Sequence, residues 1–414
     1  MGKSAKILLP HDFSADAPMV IQDPDSDRLL SDPQAVKNGI RRYFQKLFQH
    51  ADPPQLPKPW LSSPSVLDLR NRLLHAPFHW PQPLTLDQFR SLLRRGNPRP
   101  SPGPDGWEKW CIKALLDNAL SLVLDLVNYE FTTSSFPGPI KHTIMVTIHK
   151  RGVSTVLANK RGVTFSNFLC NMPFAWLSLC LNQYNASHQL LPQGQIATQQ
   201  GVQSRDLLSF LAQVESWSFR TKTPLYILKR DQQKGFDFLS PSGFHDAVRA
   251  YGLPESLIHL DTAAQSDVQC RIRTAYGDTE PIVISGVTKQ GGPISPLKSA
   301  LTTSLGHRWI SDHHCVLIQT QQARSGDPHS AADFLSISFS MVEATDDSLL
   351  FSTSLDSLAA MCFQMEKFQF AYGWVTAWPK SELVALNHRD CPSYQPLRDM
   401  IPLPSINLLK SRPH

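Results

Sequence analysis

Three carboxylates and one glycine-rich loop have the types and order that could do chemistry: Asp231, the run Gln290-Gly291-Gly292-Pro293-Ile294-Ser295-Pro296, and the pair Asp346-Asp347. Adjacent carboxylates repel, so a rigidly held pair invites a cation. Hard oxygen donors select Mg²⁺. Carboxylates drawn from separate strands can hold two divalent ions about 3.5–4 Å apart, the arrangement phosphoryl transfer uses. One ion lowers the pKa of an attacking hydroxyl and the other neutralises departing phosphates. Taken alone, an Asp-Asp pair more often marks a turn or a helix start, where the short side chain bonds backbone. Its company along the chain decides between the two.

The elements that must position these groups are legible around them. Leu335, Ile337, Phe339 and Met341 alternate with Ser336, Ser338 and Ser340, a period of two that predicts a half-buried strand. Leu349-Leu350-Phe351 predicts a second, which leaves Asp346-Asp347 at a tight turn between strands. Leu225 to Leu228 is a short buried strand running straight into Lys229-Arg230-Asp231. Upstream, Ala35 to Phe48 has helical spacing, and Thr85-Leu86-Asp87-Gln88 reads as a capping box opening a helix to about Arg95. Ser101 to Gly106 is a rigid turn before a helix expected from Trp107 through Leu126. A strand at 144–148, a helix opened by Ser240-Pro241 and ended by Gly252, and a strand at 268–272 turned back by Gly277-Asp278 follow. A helix from about Leu297 and another at 355–373 complete the pattern. Residues 1 to about 35 are polar and proline-punctuated, and are expected to be a poorly ordered lead-in.

The chain has 414 residues, 41% of them hydrophobic, enough for two or three packed regions. The net charge of +5 says little, but its distribution says more. Between Glu130 and Asp206 there is no acidic residue, while Lys141, Lys150, Arg151, Lys160, Arg161 and Arg205 fall inside. Such a block suits phosphates, although a solvated basic face would look the same. The seven cysteines are scattered and never form C-x-x-C, which argues against a disulfide scaffold or zinc finger and for a reducing compartment. No apolar run reaches membrane-spanning length and no signal peptide is visible, so the expectation is an intracellular protein, the nucleus being one candidate compartment, with no membrane partner.

In order, the motifs are Asp231-Gln232-Gln233-Lys234-Gly235-Phe236-Asp237, then Gly286 to Pro296 containing Gln290-Gly291-Gly292-Pro293, then Ala344-Thr345-Asp346-Asp347, then Gly373-Trp374 with Lys380. With Ser101-Pro102-Gly103-Pro104-Asp105-Gly106 upstream, this set resembles the reverse transcriptases of non-LTR (LINE-like) retrotransposons, of the fungal group. Those carry D-x-x-K-A-F-D, G-x-x-Q-G-x-P-x-S-P and Y/F-A-D-D in the same order. Each motif alone is weak; the ordered set over roughly residues 85–385 is specific.

The resemblance implies an α+β fold: a right-hand polymerase palm, an antiparallel sheet with packed helices, with mostly helical fingers and a truncated or missing thumb. It implies a partly disordered N-terminal extension at 1–84, fingers at 85–223, a palm at 224–390 with a fingers/palm insertion at 239–285, and a tail at 391–414. The implied activity is RNA-directed DNA synthesis on an RNA template from a DNA primer and dNTPs, with two Mg²⁺ for which Mn²⁺ could substitute. Asp231, Asp346 and Asp347 would be the catalytic metal ligands. Phe236, Gln290, Gly291, Lys150, Arg161 and Lys380 would bind the dNTP, Phe236 as a gate against a 2′-hydroxyl. Ser101, Gly103, Asp105, Pro293, Ser295 and Arg151 would meet template and primer. Outside the resemblance, Phe236 could be core, Gly291-Gly292-Pro293 an ordinary turn and Lys380 a solvent lysine. Gly235 stands where Ala is usual, Ala344 where an aromatic usually packs under the primer end, and Gly162-Val163 where many relatives have Pro-Ile. These departures keep open an inactive remnant that only binds nucleic acid, and a truncated copy is the expectation at the C-terminal side.

Overall fold

The computed structural model describes residues 18–48, 56–196, 199, 201–233, 235–284, 291–322, 333–344, 347–388 and 407–408. They form an α+β architecture with mixed sheets, divided into two compact units. The first draws on residues 1–51, 80–180 and 255–295, and the second on 52–79, 181–254 and 296–414. Elements are numbered in chain order below.

In the first unit, β1 (Ile21–Gln22) and β2 (Leu29–Leu30) form a short hairpin before α1 (Pro33–Phe48). Ile21 is fully buried, so the lead-in expected to be poorly ordered is folded from about residue 18. The helical spacing of Val36, Ile40, Phe44 and Phe48 lays one apolar stripe on Met145, Cys270, Ile272, Ile282 and Ile284. Those residues come from β3 (Thr143–His149), β6 (Val268–Thr274) and β8 (Ile282–Ile284). With β4 (Lys160–Ser166) and β7 (Gly277–Asp278) they make a sheet in which β3 pairs antiparallel with β4 and parallel with β6.

A second cluster of this unit joins α3 (Leu86–Arg94), α4 (Lys109–Lys113), α5 (Asp117–Thr133) and the start of α6 (Phe168–His188) around Phe89, Leu93, Ile112, Leu124 and Phe168. The capping box of α3 is present in both directions, Gln88 N donating to Thr85 Oγ1 and Thr85 N to Gln88 Oε1. The single helix expected from Trp107 is instead two. Leu116 is extended (φ −68°, ψ 158°) and breaks the run, so that Leu120, Leu124 and Val127 of α5 reach this core. α10 (Ser256–Gln265) also belongs to this unit.

In the second unit, β11 (Met341–Ala344), β12 (Asp347–Ser352), β5 (Leu225–Asp231), β13 (Glu382–Leu386) and β14 (Asn407–Leu408) form one sheet in that order. All neighbours are antiparallel except β13 with β14. The period of two sorts its residues: Leu225, Ile227, Leu349 and Phe351 face Val214 and Phe210 of α7 (Ser204–Thr221). Arg230 lies on the other side, toward Glu366 and Gln369 of α12 (Leu355–Phe370), which buries Leu358, Cys362 and Met365.

The alternating run 335–341, expected as one strand, is two. β10 (Asp333–Phe339) pairs with β9 (Val316–Gln322), while β11 begins after Ser340 and pairs with β12. The second unit also holds α2 (Pro64–Leu74), α8 (Gly235–Phe238), α9 (Pro241–Ala250) and α11 (Ser295–His313) from residue 296 onward. Residues 56–79, sequence-expected as part of an N-terminal extension, are tied into it. Trp60 is buried against Trp309, Phe368 and Tyr372, its Nε1 donating to the Tyr372 hydroxyl at 2.9 Å, and that hydroxyl donates to Asp246.

Candidate active site

Asp231 ends β5 because the chain leaves the sheet there: Ala377 N donates to Asp231 O at 2.8 Å and Gln232 bridges Thr376. Asp347 opens β12, paired with Ala344 at the end of β11. The register then sets Asp347 directly opposite Asp231, so both carboxylates leave the same face of the sheet. That is the face carrying Ile227 and Leu349, which α7 covers near Leu225 and leaves open toward the strand ends, where Lys229 and Asp347 are exposed. Directly opposed residues have Cβ atoms about 4.5–5.5 Å apart, and two like charges so placed destabilise a sheet unless something positive joins them.

Lys380 supplies part of that charge. Its Nζ donates to Asp231 Oδ2 at 2.7 Å, from a 3-10 turn at Trp378–Lys380. The Asp231 side chain is mostly covered and Lys380 is half exposed. Hard carboxylates on one open sheet face fit Mg²⁺ by donor chemistry. Among the described residues no group of three or more His, Cys, Asp or Glu side chains could hold a metal; Asp346, the third expected ligand, lies outside them.

Under this corner lies a buried network that sequence reasoning missed. Arg230, one residue from Asp231, is 1% exposed and donates to Glu366 Oε1, to Gln369 Oε1 at 2.9 Å and to Thr376 Oγ1 at 2.6 Å. Its guanidinium also lies 5.7 Å from the Trp378 ring centroid. These bonds tie β5 to α12 and to Thr376, which leads into the 3-10 turn that carries Lys380. On the other side of the hairpin, Glu343 N donates to Gly194 O and Ile196 N to Glu343 O, both at 2.8 Å. Gln195 Nε2 donates to Glu343 Oε2 at 2.9 Å and to Thr303 Oγ1 at 2.8 Å. Burial pushes the Glu343 carboxyl up to about 8 and neighbouring His307 down to about 3. The only sequence signal for either group was a charged residue at an inward position of a strand.

In the first unit, Lys150, Arg151 and Arg161 are exposed at one end of the β3–β4 hairpin, where Lys150 N donates to Asn159 O. Gly291, at φ +111°, needs to be glycine: a Cβ there would stand 2.6 Å from Thr164 O of β4. Gly103 is held as closely: a Cβ there would stand 2.6 Å from the Ser166 and Asn167 backbone, and Asp105 N donates to Asn167 Oδ1. Ser101 and Pro293 are exposed, and Ser295 is buried at the start of α11, its N–H donating to Gly292 O. Gln290 lies outside the described residues, as does the Phe236 side chain. The structure brings Asp231, Asp347 and Lys380 together.

No family model matches the chain. It is similar to a curated protein of Xenopus laevis, the transposon TX1 uncharacterized 149 kDa protein, at 22% identity over 268 residues. That alignment covers 64% of this chain and 20% of the relative, so the chain spans about a fifth of the relative's length. The similarity is to a transposon protein of a frog, and it lends nothing to the fungal grouping expected from the motifs. No described helix is long and apolar enough to cross a membrane.

Proposed function

We propose that this chain is a retrotransposon-derived reverse transcriptase domain, with the second unit as a polymerase palm and the carboxylates at its sheet corner as the centre of nucleotidyl transfer. The observation that carries the reading is the register of Asp231 against Asp347 beside Lys380. It coincides with the ordered motif set, and the similarity to a transposon protein agrees with it.

In this reading Asp231 and Asp347, with Asp346, would hold Mg²⁺, which supplies an activated primer hydroxyl and charge neutralisation on the phosphates. The chain's own residues do the positioning. The antiparallel pair fixes two carboxylates on rigid strands, and such fixing matters because small displacements cost rate steeply. Lys380 offsets repulsion between the carboxylates and presents an ammonium to a leaving phosphate. Exposed Lys150, Arg151 and Arg161 give a basic surface for phosphates. RNA template, DNA primer and dNTPs are the proposed partners.

Primer extension on an RNA template with Mg²⁺ tests this. The expected result is dNTP incorporation that Asp231→Asn and Asp347→Asn each reduce at least about 100-fold. Extension that survives both changes overturns the assignment. One observation favours a second reading, a remnant that binds nucleic acid without synthesis: Ala344, paired with Asp347, offers no aromatic surface for a primer end. Binding with no incorporation in Mg²⁺ or Mn²⁺ would select it.

A further inference from the structure

Two tryptophans in the first unit are exposed to solvent on a hydrogen-bonded turn and the helix that follows it. Trp107 is 51% exposed and Trp110 37% exposed, whereas indoles are ordinarily mostly covered. They are not on a loose loop. Gly106 N donates to Gly103 O, closing the turn, and Trp107 N donates to Asp105 Oδ1. The turn is pinned to the end of β4 by the close seat of Gly103 and by Asn167, whose Nδ2 also donates to the Pro139 and Ile140 carbonyls. Trp110 stands on α4, and its Nε1 donates to Glu108 Oε2 at 2.6 Å, which fixes the ring.

The surroundings are basic. Lys109 Nζ donates to the Arg95 carbonyl, so α4 meets the end of α3, and Lys113 lies near enough for its charge to lower the pKa of Lys109 after desolvation. Arg94, Arg95, Arg99 and Lys113 are exposed, and none has a carboxylate partner among the described residues. Flat aromatic faces held rigid among unpaired cations match one polymer chemistry, unstacked bases on a phosphate backbone. A stacked base contributes about 1–3 kcal/mol and needs no particular sequence, and a duplex, whose bases are already stacked, cannot use the rings.

We propose that Trp107 and Trp110, with Arg94, Arg95, Arg99 and Lys113, form a binding surface for single-stranded nucleic acid on the first unit. The inference rests on the reverse transcriptase reading for the class of polymer; Gly103 and Asp105, which that reading gives to template and primer, serve here only to seat the turn, and the proposed contacts are the two rings and the four cations.

The test is fluorescence anisotropy of the full chain with labelled oligouridylate and oligodeoxythymidylate of about 20 nucleotides and a duplex of the same length. Trp107→Ala/Trp110→Ala should weaken single-strand binding about tenfold or more and leave duplex binding within about twofold. Trp107→Phe/Trp110→Phe, which keeps two ring faces, should stay within about threefold of wild type, and this separates lost stacking from misfolding. Arg95→Gln/Lys113→Gln should reduce the salt slope of binding by about 1.4, at about 0.7 per phosphate contact. Comparison of the RNA and DNA arms shows which strand the surface prefers. Unchanged single-strand affinity in the alanine variant, or equal losses on duplex, overturns the surface. Primer extension on the same preparations keeps the two ideas apart. Wild-type extension with unaltered affinity in the alanine variant removes only the surface, and lost affinity with no wild-type extension removes only the polymerase.

Discussion

Asp231 and Asp347 are register partners on adjacent antiparallel strands, with Lys380 bonded to Asp231 at 2.7 Å. Residues 116 positions apart in sequence thereby put two acids on one sheet face, and the repulsion between them makes that face a place for positive charge.

Divalent metal should therefore stabilise the fold as well as support catalysis. Thermal unfolding followed with and without Mg²⁺ should show a rise in midpoint, equivalent to about 2.7 kcal/mol at about 100 times Kd. Asp347→Asn should remove most of that increment. An increment of equal size in the variant would mean that Mg²⁺ binds elsewhere.

Lys380 should matter to synthesis and hardly to stability. It is half exposed, so loss of its ion pair in Lys380→Gln should cost less than about 1 kcal/mol in urea unfolding. The rate of dNTP incorporation should fall about tenfold or more in the same variant, as expected when a phosphate-facing cation is removed. Loss of stability with unchanged incorporation would make Lys380 a structural residue.

Arg230 has the opposite profile. Its guanidinium is buried and bonded to Glu366, Gln369 and Thr376, so Arg230→Ala takes the cation from Glu366, which keeps the Thr376 hydroxyl and some contact with water, and leaves a cavity among these buried acceptors. The expected loss is about 1–3 kcal/mol, read from the urea midpoint. The doubly changed Arg230→Met/Glu366→Met should recover much of it, because an apolar pair of similar size leaves no uncompensated charge.

Glu343 should give stability a pH dependence that one substitution removes. Its carboxyl ordinarily titrates near 4.5 and is pushed up to about 8 by burial. The folded chain therefore keeps a proton that the unfolded chain has released. This contribution is complete below about 4.5 and is lost as pH rises toward about 8. Glu343→Gln should flatten the decline by up to about 1.4 kcal/mol per pH unit in that window. His307, neutral there because burial holds it down to about 3, loses its contribution as pH falls from 6.5, equally in both proteins. Identical slopes for wild type and variant would show that Glu343 is ionised in the fold.

Local order in the chain was legible from local chemistry. Thr85 and Gln88 close a capping box because the pattern is self-contained within one helical turn. The apolar spacing of Val36, Ile40 and Phe44 identifies a helix face for the same reason. The carboxylates, the glycine-rich loop and the basic hairpin were likewise visible as residue types in order. What periodicity could not show was where an alternation is cut: Ser340 parts one apparent strand into two that join different sheets, and Leu116 parts one apparent helix.

The sequence by itself determined which groups are chemically able, and that Asp231 ends a strand while Asp347 lies just before one. Only the tertiary structure decided that these two stand opposite each other, that Lys380 bonds Asp231, and that Arg230 and Glu343 are buried. The physical reason is that side-chain alternation is fixed within a strand, whereas strand pairing depends on burial summed over residues far apart in the chain.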